Sequence, residues 1–336
     1  MIVLCIEKNN HIRMGIRHLN RYFMQKCKKD CIRKIALSDL AGKTIVIDTS
    51  IYLYKFAGQN SLQESIFHMI TLFHKYDLVP IFVFDGKPPP EKKDEISRRK
   101  WNKYVAEEKY ENMVSLLEET SDEKERQTLI HGMESLKQQF VRITNKEIKT
   151  VKKIMDAYGV TYYDASGEAD KLCATISRQE NCFGCLSDDM DMFVYGCTFV
   201  LRHLSLYNET VLLYDCEKIM QDLKMSHAMF KQIAILSGTD YNIHDNCVTL
   251  HETLKWYVQY KRSHGEECIN ESNEKGFYEW LQKHTKYIKN YESLMKTHEL
   301  FVIQEESSKV YEATINKNYD VANLQNIMKE YKFAFA

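Results

Sequence analysis

Four short apolar runs punctuate an otherwise polar chain: Thr44–Ile47, Leu78–Phe84, Val160–Tyr163 and Cys182–Ser187. Each is short, mostly β-branched or aromatic, and lacks the alternation of a strand with one wet face, so each predicts a strand buried on both sides. Ser50–Tyr76, between the first two, carries Ile66, Met69, Ile70 and Phe73 at helical spacing and predicts a helix. Strands joined through such a helix make a right-handed crossover and therefore a parallel sheet. From Glu91 to Tyr158 there is no proline, one glycine and dense Glu, Lys, Arg and Leu, which predicts helix for most of that length. Val200–Tyr214 alternates and predicts one or two further strands; Asp215–Gly238 and Leu250–Tyr260 return to helix, the latter pair flanking a turn as a helix-turn-helix unit. The pattern is that of an α/β protein with a mostly parallel central sheet and flanking helices.

Acids at the ends of the apolar runs turn the picture from fold to chemistry. Asp48 ends the first run, Asp85 comes directly after the second, Glu168 and Asp170 lie beyond the third, and Asp189 and Asp191 beyond the fourth. An open parallel sheet binds its ligands outside the carboxyl ends of its strands. One Asp after a strand is usually a turn former or helix cap, but six acids from four strands are poorly explained that way. Hard oxygen donors favour magnesium or manganese over zinc, and this many carboxylates can seat two ions about 4 Å apart for in-line attack at phosphorus.

Charge supports the same direction only through its distribution. The net charge of the 336 residues is −1, yet Arg17, Arg21, Lys26, Lys28, Lys29, Arg33 and Lys34 crowd one segment, and Lys87, Lys92, Lys93, Arg98, Arg99, Lys100 and Lys103 another. Basic flanks around an acidic centre suit a phosphodiester held beside metals. No apolar run reaches the roughly 18 residues of a membrane span, and the opening MIVLCI lacks a secretory pattern. Ten cysteines without regular spacing fit a reducing, intracellular compartment. Cys182 and Cys185, with Cys27 and Cys31 as partners, make a weaker zinc alternative, since an i, i+3 pair in a strand faces opposite sides.

Taken in order, the motifs MGI at Met14, VIDTS with Asp48, VFDGKPP with Asp85, DASGEAD, SDDMDMFVYG, RHL at Arg202 and LSGTDY with Asp240 resemble the flap endonuclease branch of the XPG/Rad2 structure-specific 5′ nucleases. That resemblance implies a PIN-like (resolvase-like) core over 14–225 with a helical arch at 87–153, a DNA-binding helix-turn-helix unit at 226–262, a helical region at 263–336, and an extension 1–13 ahead of a start at Met14. It implies that Asp48, Asp85, Glu168, Asp170, Asp189, Asp191 and Asp240 hold two Mg²⁺ or Mn²⁺ ions. Lys92 and Arg99 match two cations, seven residues apart on one helix face, that polarise the scissile phosphate. Tyr54 matches an aromatic that stacks on a base. Gly15 and Arg202 complete the DNA-binding set.

The resemblance implies hydrolysis of DNA at the base of a 5′ flap in replication, repair or recombination, or 5′–3′ exonuclease action, by a monomer. A non-catalytic nucleic-acid-binding relative is the competing reading. Several positions depart from the family pattern. Asp170 is one methylene shorter than the usual Glu, Met69 replaces an arginine, and the loop NIHDNCVTL replaces the glycine loop that grips duplex. Gln325, Met328 and Tyr331 begin a sliding-clamp box that Lys332 breaks. These departures point to a version from a large DNA virus or a protist, acting in a nucleus or in a cytoplasmic viral factory.

Overall fold

The computed structural model describes residues 16–179, 181–242, 249–265, 275–303 and 320–331. Its centre is a seven-stranded sheet built from β1 (Ile32–Ala36), β2 (Thr44–Asp48), β3 (Val79–Phe84), β4 (Thr161–Asp164), β5 (Gly184–Leu186), β6 (Phe199–Ser205) and β7 (Thr210–Asp215). Their spatial order is β1-β7-β6-β5-β2-β3-β4. From β6 to β4 the neighbours are parallel; β7 pairs antiparallel with both β6 and β1.

Burial on both faces explains the unbroken apolar runs. Val46, Ile81 and Val83 point into one core, whereas Ile45, Ile47, Phe82 and Phe84 point into the other. The first core is covered by α1 (Leu19–Lys26), α7 (Ala169–Ser177), α8 (Asp191–Tyr195), α9 (Cys216–Leu223), α10 (His227–Leu236), α11 (Leu250–His264), α12 (Gly276–His284) and α13 (Tyr291–Leu300). The second is covered by α2 (Thr49–Gly58), α3 (Leu62–Lys75), α6 (Asn145–Tyr158) and α14 (Val321–Lys329). With helices on both faces, alternation is lost because both sides of each strand are apolar.

Several expectations change. Ser50–Tyr76 is two helices, α2 and α3, because Asn60 adopts a left-handed backbone (φ 54°) just after Gly58. The edge strand β1 carries no apolar run: Arg33 and Lys34, on opposite faces of the strand, are both exposed, so its sequence reads as a charge cluster. The segment 87–153 is an exposed hairpin of α4 (Lys93–Glu119) and α5 (Glu123–Lys137), while α6 belongs to the body, with Val151, Ile154 and Met155 buried under the sheet. A capping box of Thr144 and Glu147 starts α6 where the hairpin ends.

Met69 is fully buried in the second core, so an arginine there would need a partner the site does not offer. Met328 and Leu324 of α14 are likewise consumed by packing over α6, which removes the apolar contacts a clamp motif would present. Helices α10 and α11 pack against each other; the loop expected to alter duplex grip falls mostly in 243–248, outside the described residues. Among the described residues no helix is long and apolar enough to cross a membrane.

Candidate active site

The chain runs from β2 outward to β3 and β4, then returns to the other side of β2 with β5 and β6. The crevice at such a reversal, outside the carboxyl ends of the strands, is where an open α/β sheet binds its ligand. Asp48 closes β2 and precedes α2 at its N-cap position; Asp85 follows β3; Glu168 holds the N-cap position of α7, with Asp170 in the first turn; Asp189 and Asp191 occupy the turn from β5 into α8. Asp240 arrives from beyond α10. All seven expected acids therefore rim one end of the sheet.

Short polar contacts lock this rim. Asp48 Oδ2 accepts from Ser187 Oγ at 3.1 Å, and the same Oγ accepts the Asp189 N–H at 3.1 Å. Asp189 Oδ1 accepts the Asp191 N–H at 2.9 Å. Asp85 Oδ1 takes the Ala169 N–H at 2.8 Å, an otherwise unmatched donor in the first turn of α7. Beside it Gly86 is obligatory: a Cβ there would lie 2.0 Å from the Ala165 carbonyl oxygen.

Asp48, Asp170, Asp189, Asp191 and Asp240 are each less than a tenth exposed. Burial, then the charges of Asp85 and Asp189, pushes the Asp48 carboxyl up to about 8. Burial and Asp240 push Asp189 up to about 6. Asp170 and Asp191 are held well above the usual carboxylate range, by burial first and then by Asp189. So dense a group of buried anions demands positive charge.

In this structure two side chains of the arch base supply some of it. Lys92 Nζ donates to Glu168 and lies 3.7 Å from Asp240 Oδ2. Burial alone would lower the Lys92 pKa, but the charges of Asp170 and Glu168 override it and raise it. Arg99 donates to Asp240 and, through Nε, to Glu95 Oε1 at 2.6 Å. Among the described residues no three His, Cys, Asp or Glu side chains close into a ready-made metal shell. The acids are shared out to the two cations instead, and Asp191 Oδ1 is left buried without a hydrogen-bond partner. An all-oxygen donor set with an unsatisfied buried carboxylate oxygen fits hard divalent cations. The zinc alternative finds no support: Cys31 donates to Asp222 and Cys185 to Met192 Sδ inside the core.

The remaining expected residues divide. Tyr54 is 44% exposed on α2, with Lys103 Nζ 4.8 Å from its ring centre. Gly15 lies outside the described residues. Arg202, expected to contact DNA, is 6% exposed, donates to the Asp188 carbonyl at 2.8 Å and lies over Tyr214. It holds the acidic turn from inside. Asp188 itself faces away and accepts the His203 N–H at 2.7 Å.

Three further residues belong to the site without a motif to mark them. Glu95 bridges Arg98 and Arg99, and its i, i+3 and i, i+4 spacing was a usable signal. Tyr241 donates to Glu168 Oε2 and lies under Lys92 Nζ at 5.6 Å. Behind it Phe301 packs edge-on at 5.4 Å and also against Tyr195 at 4.8 Å; nothing in the sequence pairs residue 301 with residue 241.

Two family models match the chain, the XPG N-terminal domain over 14–106 and the XPG I-region over 159–240. Flap endonuclease 1 of Debaryomyces hansenii is 30% identical over 247 residues, covering 68% of this chain and 62% of that protein. Flap endonuclease 1 of Babesia bovis is 30% identical over 245 residues, covering 68% and 35% respectively. The chain thus spans less than two thirds of the length of these relatives. Among solved structures, the catalytic core of Rad2 in complex with DNA substrate matches with a TM-score of 0.63 at 20% identity over 94% of each chain. Human GEN1 in complex with Holliday junction DNA matches with a TM-score of 0.59 at 17% identity, over 95% of this chain and 74% of that one. At such identities the likeness is one of fold. The two matched XPG regions together take in just over half of the chain and contain all seven acids, Lys92 and Arg99: the chain belongs to the XPG/Rad2 flap endonuclease family.

Proposed function

We propose that this chain is a metal-dependent structure-specific 5′ nuclease that hydrolyses DNA phosphodiesters at the base of 5′ flaps. The observation that carries the reading is the convergence of seven acids on one end of the sheet, most of them buried, with two arch cations reaching into them. A fold-keeping scaffold without chemistry would have no use for so much buried like charge, which costs stability. The relatives' names, and the DNA in the Rad2 and GEN1 complexes, support a nucleic-acid substrate.

Asp48, Asp85, Glu168, Asp170, Asp189, Asp191 and Asp240 would hold two Mg²⁺ or Mn²⁺ ions, directly or through water. Bound there, such ions supply Lewis-acid stabilisation of the phosphoryl oxygens and lower the pKa of water. The chain's own residues do the rest. Lys92 Nζ and the Arg99 guanidinium are donors on one face at the start of the arch, aimed at the acidic rim where a phosphate would sit. Cations preplaced in a largely buried site need no reorganisation as charge develops. Glu95 orients Arg99 for that contact, and the exposed ring of Tyr54 offers a stacking face beside it.

The α4–α5 hairpin favours a flap or free 5′ end over a four-way junction, because it provides a place for a free single strand to be held. The test incubates the protein and its Asp189→Ala variant with end-labelled 5′-flap, nicked, blunt and four-way DNA, with magnesium or with chelator. Expected is cleavage at the flap base that needs magnesium and falls by orders of magnitude in the variant. Equal cleavage by both proteins would refute the metal assignment, and binding of every substrate without cleavage would favour the scaffold.

A further inference from the structure

The outer face of α4 carries a feature that the acidic site does not use. Trp101 is 64% exposed and Tyr104 is 56% exposed, and their rings stack on each other at 5.7 Å with 30° between planes. On a helix, residues two and five beyond Arg99 lie about 160° and 140° around the axis from it. The pair therefore looks away from the face on which Arg99 and Lys103 reach Asp240 and the Val141 carbonyl. Two large rings held in water beside each other are costly unless something covers them.

Their surroundings select the covering partner. Along the same face the next positions are Ser97, Arg98 and Glu108, and the flanks carry Lys100, Asn102 and Lys109, all exposed. No apolar row extends from the pair, so the patch is the size of one or two planar groups, not of a protein interface. Around the rings themselves Arg98, Lys100 and Lys109 stand against Asp94 and Glu108, a net positive border that favours a polyanion. Planar apolar rings bordered by Arg and Lys are the composition of a platform for unpaired bases, the rings taking the base faces and the cations the phosphates.

We infer that Trp101 and Tyr104 form a base-stacking platform for the unpaired 5′ strand on the outer side of the arch. This rests on the reading of the chain as a flap nuclease and adds a second grip, distinct from the acidic site. A helix with its side chains is about 10–12 Å across, so a single unpaired nucleotide emerging at Arg99 cannot round it to reach Trp101. A long flap can. The platform consequently binds long flaps selectively and is indifferent to base identity.

The test measures binding in chelator, where no cleavage occurs, using 5′-flap DNA with one unpaired nucleotide and with about fifteen, and thymidine oligonucleotides alone. The expected result for Trp101→Ala/Tyr104→Ala is loss of about ten-fold or more of the affinity advantage of long over short flaps. Trp101→Phe/Tyr104→Phe retains it. Oligothymidylate quenches tryptophan fluorescence in the wild type and not in Trp101→Phe, since Trp256 and Trp280 are packed against the core. An undiminished advantage in the alanine variant, or an equal loss for both flap lengths, overturns the platform. Fluorescence quenched equally in Trp101→Phe also overturns it, and so does concentration-dependent self-association abolished by the alanine pair, which assigns the rings to a second copy. Because the readout needs no turnover, a chain without nuclease activity would still show the platform, and an active nuclease without it would cut DNA but show no quench.

Discussion

Replacing Asp189 by Asn should stabilise the metal-free protein while abolishing cleavage. Asp189 is 5% exposed, and its carboxyl is raised from 3.8 to about 6 by burial and by Asp240. Its one backbone contact, Oδ1 with the Asp191 N–H at 2.9 Å, is one an asparagine Oδ1 can keep. The cost of ionising it in the fold is the shift of about two units, or about 3 kcal/mol at roughly 1.4 kcal/mol per unit. The sign comes from proton binding: between 3.8 and about 6 the native state holds the proton more tightly than the unfolded chain, so stability falls as pH rises through that window and is flat above it. In chelator at pH 8, Asp189→Asn should therefore melt roughly 5 °C or more above wild type. The gain should disappear near pH 4, where the wild-type carboxyl is protonated as well. Magnesium should reverse the ranking by stabilising the wild type through binding. A variant no more stable than wild type in chelator at pH 8, or equally stabilised at pH 4 and pH 8, would refute the claim that burying this charge, beside Asp240, limits the fold.

Three further substitutions probe the surroundings. Lys92→Met leaves Glu168 without its cation and should cost about 3–5 kcal/mol in chelator by urea denaturation, with magnesium restoring much of it; unchanged stability in chelator would mean that Lys92 neutralises nothing. Gly86→Ala drives a Cβ against the carbonyls of Ala165 and Gly167 at 2.0 and 2.9 Å, so the turn bearing Glu168 must shift; the expected loss is about 1–3 kcal/mol together with most cleavage, and wild-type turnover would exclude the crowding. Phe301→Leu keeps the core filled but loosens Tyr241 behind Glu168, and should raise the magnesium concentration for half-maximal cleavage more than it lowers the maximal rate. A purely structural Phe301 would lower the amount of folded enzyme and leave that midpoint where it is.

Strand positions and the acids after them were legible because both obey local rules. A run such as TIVID needs only its own composition to declare burial on two faces, and an acid that ends such a run declares a site at the strand's carboxyl end. The edge strand β1 obeys no such rule, since Arg33 and Lys34 face solvent and only pairing with β7 makes it a strand. The break at Asn60 turned on one left-handed residue, which a helical window averages away.

Charge pairing was the least legible, because a sequence declares which ions exist but not which ones meet. Arg202 carries the same charge as Arg99 and sits in an equally well-marked motif, yet one is spent on the Asp188 carbonyl inside the fold and the other reaches Asp240 from the arch. The difference lies in the element that carries each. Arg202 is on β6 and only 6% exposed, so its side chain has only the interior in which to find an acceptor. Arg99 rides a 27-residue helix most of which stands clear of the body, and its partner Glu95 sits one turn back on that helix. A cation carried this way can follow α4 if the arch moves, whereas one fixed in the sheet cannot. The two cations that reach the acidic rim, Lys92 and Arg99, both stand at the base of the arch, so the buried acids that gather on the sheet take their positive charge from outside it.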